Sequence, residues 1–207
     1  MAPPSLRELT RPGVTALVIQ EVQNGVIGPE AALRELADAA AEVGVIPNTA
    51  RLATAARGAG IPVIHATAET LPSRFGANHN ARLFAAARKL GAGIAPGTSS
   101  VRPVDEVHAA GELVLPRYHG LSPMAGTQLD SLLRNTGVTT VVVAGVSLNV
   151  AIPNLVFDAV NRSYQVVVAS DAVAGIPAEY GRQVIDNCLR LLATVVSTDD
   201  LVAVWKR

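Results

Sequence analysis

One cysteine in 207 residues, Cys188, excludes an internal disulfide and any metal site built from several thiolates. Aromatic residues are scarce as well, at 3%, so the core has to be filled by aliphatic side chains. Charged residues make up 16%, and seventeen basic residues cancel seventeen acidic ones. No bulk charge of one sign is left to draw the chain to nucleic acid or to an anionic membrane. No apolar run approaches the roughly 18 residues that a bilayer span needs, and the N-terminal MAPPSLRELTRPG has no apolar signal core. The expected partners are a small-molecule substrate or ligand and other copies of the chain, and the expected location is the cytoplasm.

Hydrophobic residues supply 49% of the chain, which suits central strands covered on both faces. A chain of this length fits one domain spanning 1–207 and buries roughly 70% of the surface its unfolded form exposes. Six short β-branched runs read as strands: 14–20 (VTALVIQ), 61–67, 112–116, 139–145, 164–170 and 193–198. Helical patterns alternate with them at 30–42, 48–60, 124–137, 149–163 and 178–192. The alternation predicts a three-layer, Rossmann-like α/β fold with a six-stranded parallel sheet and helices on both faces. One long irregular region, 68–111, is of a size that often covers a site.

Open parallel sheets bind ligands beyond the carboxyl ends of their strands, which directs attention to the residues just past each strand. Glu21 comes after the first strand, Arg117, Tyr118 and His119 after the third, GVSLNVA after the fourth and Asp171 after the fifth. None of these carries a glycine-rich phosphate fingerprint, so a dinucleotide cofactor is unsupported and no cofactor is expected. His65 stands alone at the end of the second strand, where a satisfied or pocket-lining histidine is favoured over a metal ligand, and no metal is expected. His79, with Arg74 near it in the long loop, is placed to touch a polar substrate. Cys188 reads as packing on the last helical stripe, Asp171 as a brace for a loop, and Trp205 as packing on a neighbouring helix or subunit.

The segments TALVIQEVQNG, ELVLPRYHGLSPMAGTQLDSLLRNTGVTTVVVAGVSLNVAI and DAVNRSYQVVVASDAVAG, in this order, resemble the isochorismatase-like family, also called cysteine hydrolases. Members commonly read I-D-x-Q-N in the first segment, a Lys before S-A-F-x-G-T in the second, and G-V-x-T-N-x-C in the third. The resemblance implies a triad of Asp, Lys and Cys in which the Cys attacks an amide or related carbonyl. It also implies a cis peptide before Ser147, backbone amides of Ser147 and Ala151 aimed at a substrate oxygen, and a homo-oligomer, a dimer or larger.

Laid onto this chain, the Asp falls on Glu21, the Lys on Tyr118 with Arg117 as a basic neighbour, and the Cys on Ala151. Gln23, Asn24, Gly126, Thr127, Gly145, Val146, Asn149 and Asp158 stay in register, so an alignment slip does not explain three departures. A single engineered Cys-to-Ala change would account for Ala151 but not for Tyr118 or Glu21. A methyl group attacks nothing, so the resemblance leaves a cysteine-independent hydrolase of a small carbonyl, amide or vinyl-ether substrate in which Glu21 does acid or base work. Ser147 has no His or Lys placed by sequence to activate it. The substrate-binding candidates are Gln23, Arg74, His79, Arg117, Tyr118, His119 and Asn149. The alternative is a family member that has lost the reaction and keeps its pocket for binding or assembly.

Overall fold

In the computed structural model, residues 4–90 and 94–206 are described. Six parallel strands, β1 (Thr15–Gln20), β2 (Val63–Ala68), β3 (Leu113–Arg117), β4 (Thr140–Val146), β5 (Gln165–Ala174) and β6 (Thr194–Val196), form one sheet in the order β3-β2-β1-β4-β5-β6. The two central strands, β1 and β4, are buried along their whole length. Their uninterrupted Val, Ile, Leu and Ala runs are what a strand covered on both faces requires.

Helices α2 (Arg34–Val43), α3 (Val45–Gly58) and α9 (Thr198–Trp205) cover one face. Helices α6 (Leu129–Asn135), α7 (Ala151–Asn161) and α8 (Ala178–Asn187) cover the other. Short helices α1 (Leu6–Leu9) and α5 (Pro123–Gly126) complete the covering. On α3 the buried positions Val45, Thr49, Leu52, Ala53 and Ala56 recur at helical spacing and form one stripe. The C-terminal α9 is fixed at both ends. A capping box joins Ser197 to Asp200, and the indole of Trp205 donates to Thr10 O at 3.0 Å.

The structure departs from the sequence expectation where polar residues conceal a regular element or a local bond ends one. The fifth strand runs on through Ser170 and Asp171 to Ala174, because a register shift between Val143 and Gly145 absorbs the irregular pair. Asp171 then braces α9, its Oδ1 accepting from Thr198 N and Oγ1, both at 2.8 Å. The helix expected over 124–137 is two helices, because extended Thr127 interrupts it and its Oγ1 accepts from Leu129 N at 3.0 Å. The helix expected over 178–192 ends at Asn187, with Cys188 at its C-cap. The irregular region 68–111 contains a helix, α4 (Arg82–Leu90). Its apolar Leu83, Phe84 and Ala87 border a cavity rather than the core, so it does not present a core-facing stripe.

Candidate active site

The sheet order places β1 between β2 and β4, so the connections leaving β1 and β4 diverge and open a crevice at their carboxyl ends. Gly145 sets the approach of the two strands. It pairs with Gln20, its φ is +112°, and a Cβ there would lie 1.9 Å from Gln20 O. The following Val146–Ser147 peptide is cis, as the family resemblance implies. The turn then feeds α7, whose N-cap Val150 offers no side-chain acceptor. Asn149 clamps this turn to the one after β5: its Oδ1 accepts from Ile176 N at 2.9 Å and its Nδ2 donates to Ile176 O. Ile152 N donates to Ser147 O at 3.0 Å, while the N–H groups of Ser147 and Ala151 donate to no described residue. Two unclaimed amides at the start of a helix favour a partially negative oxygen.

Glu21, the first residue beyond β1, adopts φ +56° and donates its backbone N–H to Ala66 O at 2.9 Å. Its carboxylate forms an ion pair with Arg117, the last residue of β3, and Gln20 Nε2 lies 3.4 Å from the same oxygen. Arg117 is 8% exposed and also donates to Gly120 O. The basic partner of the strand-one carboxylate is thus Arg117 rather than the residue at Tyr118. Glu69, just beyond β2, is a second carboxyl group at the same end of the sheet. Burial pushes its pKa above the usual carboxylate range, against a weaker opposing hydrogen bond from Thr67.

These groups border a cavity of about 460 Å³ with largely apolar walls. Glu21, Arg74, Arg117, Tyr118, His119, Ser147, Asn149 and Ala151 all line it. Gln23 does not. It is fully buried, with its carboxamide oxygen accepting from Ala68 N at 2.8 Å and its nitrogen donating to Ala68 O at 3.0 Å. His79 lines a smaller neighbouring cavity instead. The sequence reading did not single out Glu69 or the apolar wall formed by Val26, Leu33, Leu36 and Ile94. Glu69 was within reach of the strand-end rule that identified Glu21. Cys188 does not line the cavity.

His65 lies apart from this site. It is 1% exposed and its Nε2 is 2.9 Å from Glu112 Oε2. One ligand atom each from His65, His108 and Glu112 lie within 4.8 Å of one another. The cation on Glu112 is already Arg57, whose Nε donates to Oε1 at 2.7 Å, while Ala109 N donates to Oε2 at 2.8 Å. Burial keeps His65 below its ordinary pKa despite the attraction of Glu112. Burial pushes Glu112 up, but hydrogen bonds from Arg57, Ala109 and His65, with the Arg57 charge, outweigh it and bring the carboxyl to about 2.

An unfolded Glu takes up its proton near 4.5, so the Glu112 contribution is complete above that pH and is lost as pH falls toward about 2. His65, held neutral in the fold, opposes folding in the same direction once an unfolded histidine begins to protonate. Denaturant unfolding of wild type and Glu112→Gln is expected to show the wild-type margin largest at neutral pH, at most about 3 kcal/mol. The margin should shrink on acidification between those two values. A margin independent of pH would contradict this.

The isochorismatase domain pattern matches residues 15–200 of the chain. The ureidoacrylate amidohydrolase RutB of Serratia proteamaculans (strain 568) is 31% identical, over 83% of this chain and 74% of the relative. The enzyme of the same name from Pseudomonas syringae pv. syringae (strain B728a) is 30% identical over 92% and 83%. Among solved structures, a cysteine hydrolase from Pseudomonas syringae pv. phaseolicola 1448A superposes with a TM-score of 0.83 at 22% identity, covering 100% of this chain and 99% of its own. An N-carbamoylsarcosine amidase from Thermoplasma acidophilum gives 0.69 at 24% identity, over 90% and 97%. At these identities the structural likeness establishes the fold.

Proposed function

The chain belongs to the isochorismatase family of hydrolases, and from that premise we propose that it hydrolyses a small amide, related carbonyl or vinyl-ether substrate without a cysteine nucleophile. The observation that carries this reading is the Glu21–Arg117 ion pair on the same cavity as the unclaimed amides of Ser147 and Ala151. An ion pair is an interaction of the charged carboxylate, so Glu21 is arranged to accept a proton first. The amidohydrolases among the relatives favour an amide or ureido carbonyl over a vinyl ether.

In this mechanism the carbonyl oxygen rests against the Ser147 and Ala151 amides, and a water molecule lies between the carbonyl carbon and Glu21. Glu21 removes a proton as the water attacks. The oxygen that gains negative charge is held by the two N–H groups, and Glu21 returns the proton to the departing nitrogen. Proton transfer by a positioned carboxylate supplies about 10²–10⁴-fold. An oriented backbone donor supplies about 10²–10³-fold more. The methyl of Ala151, 6% exposed, leaves room where a larger side chain would crowd the water.

Alkylation tests the route directly. Iodoacetamide treatment is expected to leave turnover of a small-amide substrate within about twofold, because the chain's cysteine lies off the cavity. Loss of most activity would return the chemistry to a thiol. A second reading, a binding protein that has lost the reaction, draws on the methyl at Ala151. Under it, mass spectrometry would find small amides retained by the protein and recovered unchanged.

A further inference from the structure

A second cavity of about 270 Å³ adjoins the first and shares Arg74, Ala77, Asn78, Phe84 and Arg88 with it. Among the described residues its titratable lining is entirely basic: Arg74, Arg88 and His79, with no Asp or Glu on its border. Among the described residues, the side chains of Arg74 and Arg88 form no ion pair or hydrogen bond. Other arginines do find carboxylates, Arg57 on Glu112, Arg117 on Glu21 and Arg134 on Asp130 among them. Arg74 is also held at φ +56°, a conformation that costs a non-glycine residue about 1 kcal/mol or more. The segment is tied to the main site through Asn78, whose Oδ1 accepts from Gly120 N at 2.7 Å in the turn after β3.

We propose that this annex is an anion subsite, taking the carboxylate or phosphate end of a substrate whose apolar body crosses the main cavity toward Glu21 and the Ser147–Ala151 turn. The inference rests on the reading of the main cavity as the reaction site. Two guanidinium groups border this small cavity without an ion-pair partner, the carboxylates of Glu21 and Glu69 lining the main cavity beside it, and an anion held between them offsets their mutual repulsion. Arg presents paired N–H donors that match two oxygens of a carboxylate or phosphate. Phe84 and Ala87, from the cavity-facing side of α4, give the adjoining body an apolar surface.

Calorimetric titration of the full chain with octanoate, octyl phosphate and octanamide tests the assignment. At least one of the two anions is expected to bind about tenfold or more tightly than the neutral amide. Arg74→Ala combined with Arg88→Ala should bring that ratio close to one through loss of anion affinity, and Arg74→Lys with Arg88→Lys should restore part of it. Both arginines are exposed, so the variants are expected to melt like wild type. Preference for octanoate assigns a carboxylate, and preference for octyl phosphate a phosphate ester. Equal affinity for all three probes, no binding of either anion, or an anion preference that survives in the double alanine variant would overturn the subsite. Anion preference without turnover of any amide would overturn the hydrolase reading and leave the subsite standing.

Discussion

Glu21→Gln is expected to lower kcat by about 10²–10⁴-fold with KM little changed. The replacement keeps the size and one hydrogen-bonding oxygen of the side chain but removes its capacity to take a proton from water. KM should stay near the wild-type value because the carbonyl is bound by the Ser147 and Ala151 amides and not by the carboxylate. The change also leaves Arg117, 8% exposed, without its counter-charge. Removing one partner of a buried pair typically destabilises by about 3–5 kcal/mol, so the kinetics need a melting curve beside them. Glu21→Asp separates the two effects. It retains the charge and the pairing with Arg117 but withdraws the carboxylate by one methylene, and a smaller loss of kcat is expected from it than from the amide. Equal rates for wild type and Glu21→Gln would remove Glu21 from the chemistry.

The second large effect is structural. Gly145→Ala should destabilise the fold by on the order of 4 kcal/mol or more, equivalent to a fall in Tm of about 8–16 °C for a chain of this size. Two causes act at one atom. The backbone φ of +112° disfavours any side chain, and the added Cβ would sit 1.9 Å from Gln20 O, a backbone atom that cannot rotate away. Relief requires β1 and β4 to separate at their carboxyl ends, which is where Glu21 and the Ser147–Ala151 turn meet across the crevice. Any protein that folds is therefore expected to lose turnover as well. The control is Gly137→Ala, also at positive φ but with open space around its added Cβ, which should cost less. Equal costs for the two variants would show that strand contact contributes nothing.

The sheet and the position of the crevice were legible because β1 and β4 are continuous aliphatic runs and because parallel strands place ligands at their carboxyl ends. Glu21 and the turn after β4 emerged from that geometry. What the sequence did not reveal depended on direction and on partners. Counting back along the second motif placed the family's Lys at Tyr118, yet Arg117 reaches the carboxylate. Both residues line the cavity, and spacing alone does not say which of two neighbours pairs with the carboxylate. Gln23 read as a ligand contact, but its carboxamide satisfies both backbone groups of Ala68, a pairing between the loop after β1 and the end of β2 that only the assembled sheet creates. Helix α4 was hidden because its apolar side borders a cavity and none of its described residues is buried. Arg88 therefore joins the cavity only in three dimensions, whereas Arg74 is legible from its place in the long loop.

Ala151 gives the central claim its sharpest test, since a methyl group at the head of α7 predicts that no bond forms between the chain and its substrate. The measurement is the mass of the intact protein, acid-quenched during steady-state turnover of a small amide. The unmodified mass is expected at every time point, with product accumulating. A population heavier by the acyl portion of the substrate would contradict the claim, and the residue carrying it would identify the nucleophile.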